Sequence, residues 1–198
     1  MTAYFIDTET TGISKQDQVI ELAWYNSHSL KDEKIENPIE NCIVNKRYRP
    51  SVEINPRAQE VHGISIRDLS TCPSANTVNL PSKIDYLIGH NVSFDKRMLE
   101  QTNGGLKPQL DKVKYICTLA LAKNISKFLK IEYENHKLDT LLRHYHPVIS
   151  DNLLTGFHSA NGDVVKTVMV FISLVNHLST LETYEDVWKF QKNMASKK

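Results

Sequence analysis

AYFIDTETTGIS, residues 3–14, carries an apolar, β-prone run straight onto two acids, Asp7 and Glu9, and then breaks at Thr10-Thr11-Gly12. Residues two apart on a strand share a face at a separation of about 6.5–7 Å. Asp7 and Glu9 therefore project side by side if the strand runs through them. Burying two like charges without compensation raises their pKa values or costs free energy at each ion. A hard divalent ion such as Mg²⁺ or Mn²⁺, which prefers oxygen ligands, resolves the repulsion. Taken alone, Asp-x-Glu also reads as a solvated turn.

Outward from this stretch, residues 3–7 and 19–25 are β-rich and separated by TTGISKQDQ, which predicts an antiparallel hairpin with a long turn. A third strand is expected over 41–45. Pro56 opens a short helix that ends near Gly63, with a turn over IRDLS. Residues 86–90 read as a buried strand, followed by an N-cap at Asn91 and a helix through Glu100. KYICTLALAKNI repeats the strand-into-helix pattern. HKLDTLLRHYH supplies a further helix, with Leu138, Leu141, Leu142 and Tyr145 at helical spacing. In DVVKTVMVFISLVNHL, Val164, Val168, Phe171, Val175 and Leu178 line one helical face. Strands first and helices later imply a mixed sheet flanked by helices.

The chain has 198 residues and a formal net charge of +1, so affinity for nucleic acid must come from local patches rather than bulk charge. Cys42, Cys72 and Cys117 lie far apart and match no metal-ligand spacing, which favours free thiols in a reducing compartment. The sequence shows no apolar run of the roughly 20 residues a membrane span needs and no signal segment after Met1. A soluble, cytoplasmic protein is expected.

Two further acids bear on the opening pair. Asp95 falls in the first turn of the helix after residues 86–90, and Asp163 heads the most apolar helix, just after Asn161-Gly162. Each is also readable as a first-turn acid stabilised by the helix dipole. His158 stands five residues before Asp163, a spacing that puts the two on different faces of a continuous helix, so the histidine is expected in the loop ahead of it.

The order and local sequence of these pieces resemble the DnaQ-like, or DEDDh, 3′-to-5′ exonucleases. The matching segments are FIDTETTG, HGIS, HNVSFDKRML and HSANGDVVKT, with YICTLALA and HKLDTLL agreeing between them. The likeness runs from about residue 3 to 178, and is strongest to small stand-alone exodeoxyribonucleases. It places Asp7, Glu9, Asp95, His158 and Asp163 on the family's catalytic positions, although Val164 stands where a small residue usually follows the last aspartate.

This resemblance implies a ribonuclease H-like α/β fold, a central mixed five-stranded sheet flanked by helices. It implies an exonuclease domain over residues 1–180, with 181–198 as a C-terminal helix and basic tail of the same unit. Two divalent ions, Mg²⁺ or Mn²⁺, are implied, held about 3.5–4 Å apart across the phosphodiester. Asp7 would bridge them, Glu9 and Asp163 would complete the site for the nucleophile, and Asp95 would support the metals directly or through water. His158 would be the general base. The implied activity removes nucleoside 5′-monophosphates from 3′ ends of single-stranded or frayed DNA. RNA trimming of the ribonuclease T or oligoribonuclease type, polymerase proofreading and a catalytically silent nucleic-acid-binding module are the alternatives. A homodimer or a polymerase partner is left open.

Around the five, Thr10, Thr11 and Gly12 are expected to hold the terminal nucleotide, or to form an ordinary turn. His62 and Ile64 match the family's HGI segment and pack either near the terminal base or in a structural turn. Asn91 either orients ligands or caps its helix, with capping preferred. His90 fills a strand end. His28, His136, His144, His146 and His177 show no partner pattern, and a docking helix with a basic end is expected beyond residue 178.

Overall fold

The computed structural model describes residues 1–27, 42–148 and 158–196. A five-stranded sheet is built from β1 (Ala3–Thr10), β2 (Val19–Ser27), β3 (Val44–Arg47), β4 (Tyr86–Gly89) and β5 (Lys114–Cys117), in the order β3-β2-β1-β4-β5. β1 pairs antiparallel with β2 and parallel with β4, so it is the central strand of a mixed sheet. β2–β3 is antiparallel and β4–β5 parallel.

Helices cover both faces. α1 (Pro56–His62), α2 (Val92–Thr102), α3 (Lys107–Leu110), α4 (Thr118–Leu129), α5 (Leu138–Tyr145), α6 (Ala160–Asn176) and α7 (Tyr184–Ala195) follow in chain order with the strands. Strand alternation sorts β1 between two cores. Ala3 and Phe5 point into a core shared with α4, α5, α6 and α7, where Phe5 meets Phe171 edge to face at 5.2 Å. Ile6 faces the other way, into a core with Met98 and Leu99 of α2 and Leu110 of α3. Asp7 and Glu9 continue the Phe5 side and so face α6. Thr8 continues the Ile6 side and faces α2.

The expected mixed five-stranded sheet flanked by helices is present, and β1 runs three residues beyond the expected 3–7, through both acids. The third strand is displaced: it occupies Val44–Arg47 rather than 41–45, and Asn41 lies outside the described residues. All four of its residues are exposed, so the apolar Cys42-Ile43-Val44 run does not set its place. Pairing does, because Arg47 stands opposite Glu21 and its Nε donates to Glu21 Oε1 at 2.8 Å.

α6 starts at Ala160, three residues before the expected Asp163, because Ser159 caps it by accepting from the Gly162 N–H. Asn161 and Gly162 thus sit inside the helix. At the far edge α7 docks on β5: Glu185 accepts from the Tyr86 hydroxyl and pairs with Lys114, and Gln191 accepts from the Cys117 N–H at 2.8 Å. No helix among the described residues is long and apolar enough to cross a membrane.

Candidate active site

At the C-terminal end of β1, carboxylate oxygens of Asp7, Glu9 and Asp163 all lie within 4.8 Å of one another. Burial raises the Asp7 pKa well above the usual carboxylate range, and the charges of Asp95, Asp163 and Glu9 raise it further. Glu9 is pushed up to about 8, again by burial first and then by Asp163 and Glu21. Asp95 enters from α2 on the opposite layer and is 2% exposed. Burial lifts its carboxyl to about 7 against the opposing bond from the Thr8 hydroxyl, which donates to Asp95 Oδ1 at 2.8 Å. Asp95 lies close enough to raise Asp7 but is not one of the three converging carboxylates.

The other half of the site is carried by the start of α6. Glu21, fully buried on β2 directly across from Glu9, accepts from the Ala160 N–H at 3.0 Å through Oε2, while Arg47 and Asn45 occupy Oε1. A charged acceptor at an orphan N–H of a helix start fixes that end against the sheet. The His158 N–H donates to the Val61 carbonyl at 3.0 Å, which ties the residue just ahead of the α6 cap to α1. His158 therefore rides the loop, as its spacing implies, and its Nδ1 meets Asp163 Oδ2 at 2.8 Å.

Asp163 has a second partner that the sequence did not single out. Lys166, one turn along α6 and largely buried, places Nζ 2.8 Å from Asp163 Oδ1 and 3.0 Å from Asp139 Oδ1 on α5. Burial opposes the Asp163 charge, but His158 and Lys166 outweigh it and hold the carboxyl below its ordinary pKa. The bond to Asp163 in turn raises the His158 pKa against the effect of burial. Spacing gives the one sequence signal for Lys166, since i and i+3 share a helix face.

A cleft of about 650 Å³ opens beside these groups, lined by Asp7, His158 and Asp163 together with Leu119, Lys123 and residues 135–138. Asn91 and His90 line it too. Asn91 occupies the N-cap position of α2, but in a left-handed conformation (φ 69°), and its side chain caps no backbone N–H. It accepts instead from Ser93 Oγ at 3.3 Å. His90 Nδ1 is paired with Thr118 Oγ1 at 2.9 Å. His136, for which no role is apparent in sequence, is on the cleft wall, and His28 lies outside the described residues.

Thr10, Thr11, Gly12, His62 and Ile64 do not line this cleft. The Thr10 hydroxyl donates to the Gly12 carbonyl at 2.7 Å, and the fully buried Thr11 donates to Asp17 Oδ1 at 2.7 Å. A Cβ on Gly12 would stand 2.6 Å from Asp17 Oδ2, so a side chain there would have to displace the Asp17 carboxylate. His62 is buried with Nδ1 accepting from the Ile64 N–H at 3.0 Å, and Ile64 packs with Ile20 and Leu69.

Three mutually repelling carboxylates, two with strongly raised pKa values, held together by a fixed strand and a fixed helix end, fit a hard divalent cation. Asp7, Glu9 and Asp163 are the residues that would hold it, with Asp95 behind Asp7. The half-exposed His158 ring beside them can exchange protons with water.

A family model described as "Exonuclease" matches residues 4–171. The chain is 29% identical over 159 residues to exodeoxyribonuclease 10 of Escherichia coli K12, covering 76% of this chain and 63% of that protein. It is 28% identical over 189 residues to the PolC-type DNA polymerase III of Thermotoga petrophila, covering 91% of this chain and 12% of the polymerase. The chain thus spans less than two thirds of the length of these curated relatives. Among solved structures, exonuclease X in complex with 5′-overhanging duplex DNA superposes with a TM-score of 0.60 at 20% identity, over 93% of this chain and 99% of that one. The shared architecture is the ribonuclease H-like fold.

Proposed function

This chain belongs to the exonuclease family, and from that membership we propose that it is a metal-dependent exonuclease removing nucleoside 5′-monophosphates from 3′ ends of DNA. The observation that carries the proposal is the meeting of Asp7, Glu9 and Asp163 within 4.8 Å, with His158 bonded to one of them. Bound divalent cations, Mg²⁺ or Mn²⁺, supply activation of water and stabilisation of charge on the departing 3′ oxygen. The chain's own residues do the rest. Asp7 and Glu9 present their oxygens from a strand that cannot shift without breaking the sheet, and Glu21 locks α6 so that Asp163 completes the set.

In its neutral form the His158 ring keeps Nδ1–H on the Asp163 carboxylate, so that Nε2 carries the lone pair that accepts the proton of the attacking water. Thr8 and burial orient Asp95 behind Asp7. The cationic wall of the cleft, Lys123 and Lys137, faces the phosphates of the bound strand. DNA as substrate is supported by the exodeoxyribonuclease relative and by the duplex held in the superposed structure.

The test is degradation of matched single- and double-stranded DNA and RNA oligonucleotides labelled at the 5′ end, with Mg²⁺ or Mn²⁺ present. A ladder shortening from the 3′ end, fastest on DNA and lost in Asp7→Ala, is expected. Undiminished digestion by Asp7→Ala sinks the mechanism, and faster loss of RNA reassigns the substrate. Proofreading is the second reading, favoured by the alignment within a PolC-type polymerase. It predicts preferential removal of a mismatched 3′ nucleotide.

A further inference from the structure

Leu119 and Lys123 of α4 both line the catalytic cleft, so they mark the face that α4 turns toward it. At helical periodicity that face continues to Lys127, four residues beyond Lys123, and the exposed Lys130 follows just past the helix as its C-cap, in a left-handed conformation (φ 57°). The opposite side of α4 is the buried one, carrying Leu121, Ala122 and Ile125. Lys123, Lys127 and Lys130 are all exposed. Lys123 lines the cleft, Lys127 lies about 6 Å further along α4 by the helical rise of 1.5 Å per residue, and Lys130 stands at the helix end, so the three form a basic stripe that begins at the cleft.

The stripe is electrically uncompensated. α4 contains no acidic residue. Lys96, Lys107, Lys114, Lys166 and Lys189 each sit against a carboxylate. Among the described residues, Lys123, Lys127, Lys130 and the cleft's own Lys137 have no such partner; nor have Lys15, Lys46, Lys83, Lys112 and Lys192, but none of these five lines the cleft or lies on α4. With a net charge of only +1, unpaired lysines aligned along one face give the local positive field that a phosphodiester backbone needs. The cleft's lining holds the acids Asp7 and Asp163 together with Lys123, where the stripe begins, and Lys137.

We infer that the exposed lysine face of α4 is a track for single-stranded nucleic acid, along which the strand upstream of the scissile 3′ end leaves the cleft on Lys123, Lys127 and Lys130. This inference rests on the nuclease reading for its ligand and extends it to strand structure: an uninterrupted single strand follows the helix, while a paired end must first yield its terminal nucleotides. Contacts to phosphate alone make the track indifferent to sequence.

The test reads binding without turnover, so it is separable from catalysis. A 5′-fluorescein twelve-nucleotide oligothymidylate with phosphorothioate links at its 3′ end is titrated with the intact protein in Mg²⁺ buffer across a salt series, beside a three-nucleotide version. The longer probe is expected to bind more tightly and with a steeper salt dependence. The double variant Lys127→Gln/Lys130→Gln should bind the twelve-nucleotide probe several-fold more weakly, with the log–log salt slope reduced by about 1.4, the loss of two single-strand phosphate contacts. Lys112→Gln, at an exposed lysine away from α4, should change neither. An unchanged affinity and slope in the double variant overturn the track. So does lysine-dependent binding of polyglutamate with the oligonucleotide unaffected, which reassigns the face to an acidic protein. If the probe binds as expected but unmodified oligothymidylate is not shortened, the nuclease reading fails while the track stands.

Discussion

Lys166 Nζ lies 2.8 Å from Asp163 Oδ1, so a largely buried lysine already neutralises one of the three converging carboxylates. Its second contact, 3.0 Å to Asp139, joins α6 to α5. Removing one member of a buried pair strands the other's charge. Lys166→Met should therefore destabilise the metal-free protein by about 1–3 kcal/mol, read from urea denaturation. Saturating Mg²⁺ should recover much of the loss, because the cation takes the ammonium's place beside Asp163. An equal loss with and without Mg²⁺ would show that Lys166 acts only through Asp139.

The raised pKa values make stability depend on pH in a definite direction. Glu9 at about 8 and Asp95 at about 7 bind protons in the folded state that the unfolded chain has released. Their contribution is complete below the ordinary carboxylate pKa of about 4 and declines as pH rises, until about 8. Since metal binding needs the ionised carboxylates, the rise in Tm on adding Mg²⁺ should be small near pH 5 and larger near pH 8. A pH-independent shift would contradict the assignment of these acids as the cation's ligands.

His158 should titrate above the ordinary imidazole value in the metal-free protein, since the Asp163 bond favours its charged form. Mg²⁺ shares the Asp163 charge and repels an imidazolium, so the His158 pKa should fall when the ion is added. Ring-proton NMR across a pH series with and without Mg²⁺ measures both. Activity should fall at acid pH as the ring protonates, with Mg²⁺ held saturating. A His158 resonance insensitive to Mg²⁺ would place the ion away from Asp163.

Glu21 is a positioning residue: it touches no carboxylate of the site by hydrogen bond, but holds the Ala160 N–H from which α6 starts. Glu21→Ala leaves that N–H and the Arg47 guanidinium without their acceptor, and frees the helix start that carries Asp163. The expected result is a kcat lowered at least tenfold with KM little changed. Glu21→Gln, whose amide oxygen can still accept from Ala160, should retain much of the activity. Equal damage from both would point to the charge rather than the hydrogen bond.

Gly12→Ala forces a Cβ against Asp17, whose carboxylate is already held by the Thr11 and Ser14 hydroxyls and the Ser14 N–H. Overpacking of this kind costs about 1–3 kcal/mol, which thermal unfolding would show as a lowered Tm. No change in Tm would mean that the Asp17 turn relaxes freely.

How far these features are legible in sequence follows from their periodicity. β1, β2, β4 and α6 declare themselves through alternation or helical spacing, because each buries an apolar face. β3 does not, since all four residues are exposed and its place is set by the Arg47–Glu21 pair across the hairpin. The same division runs through the site. Asp7, Glu9, Asp95, His158 and Asp163 are recognisable from the motifs around them. Thr8, Glu21 and Lys166 are not, because a threonine on a strand, a glutamate on a strand and a lysine on a helix each read as ordinary surface residues. Only tertiary packing turns them inward. Thr11 shows the converse: a hydroxyl that reads as a substrate contact is fully buried on Asp17.

Because β1 supplies Asp7 and Glu9 while α6 supplies Asp163 and the residue ahead of its cap is His158, the candidate site spans more than three quarters of the chain. Such long-range closure is slow and comes late in folding. The β1–β2 hairpin is made of sequence neighbours and can close before α6 packs on it, so its two acids are in place ahead of His158 and Asp163. On the proposed nuclease reading, a partly folded chain is inert, and the capacity to cut arrives only when α6 docks on the sheet.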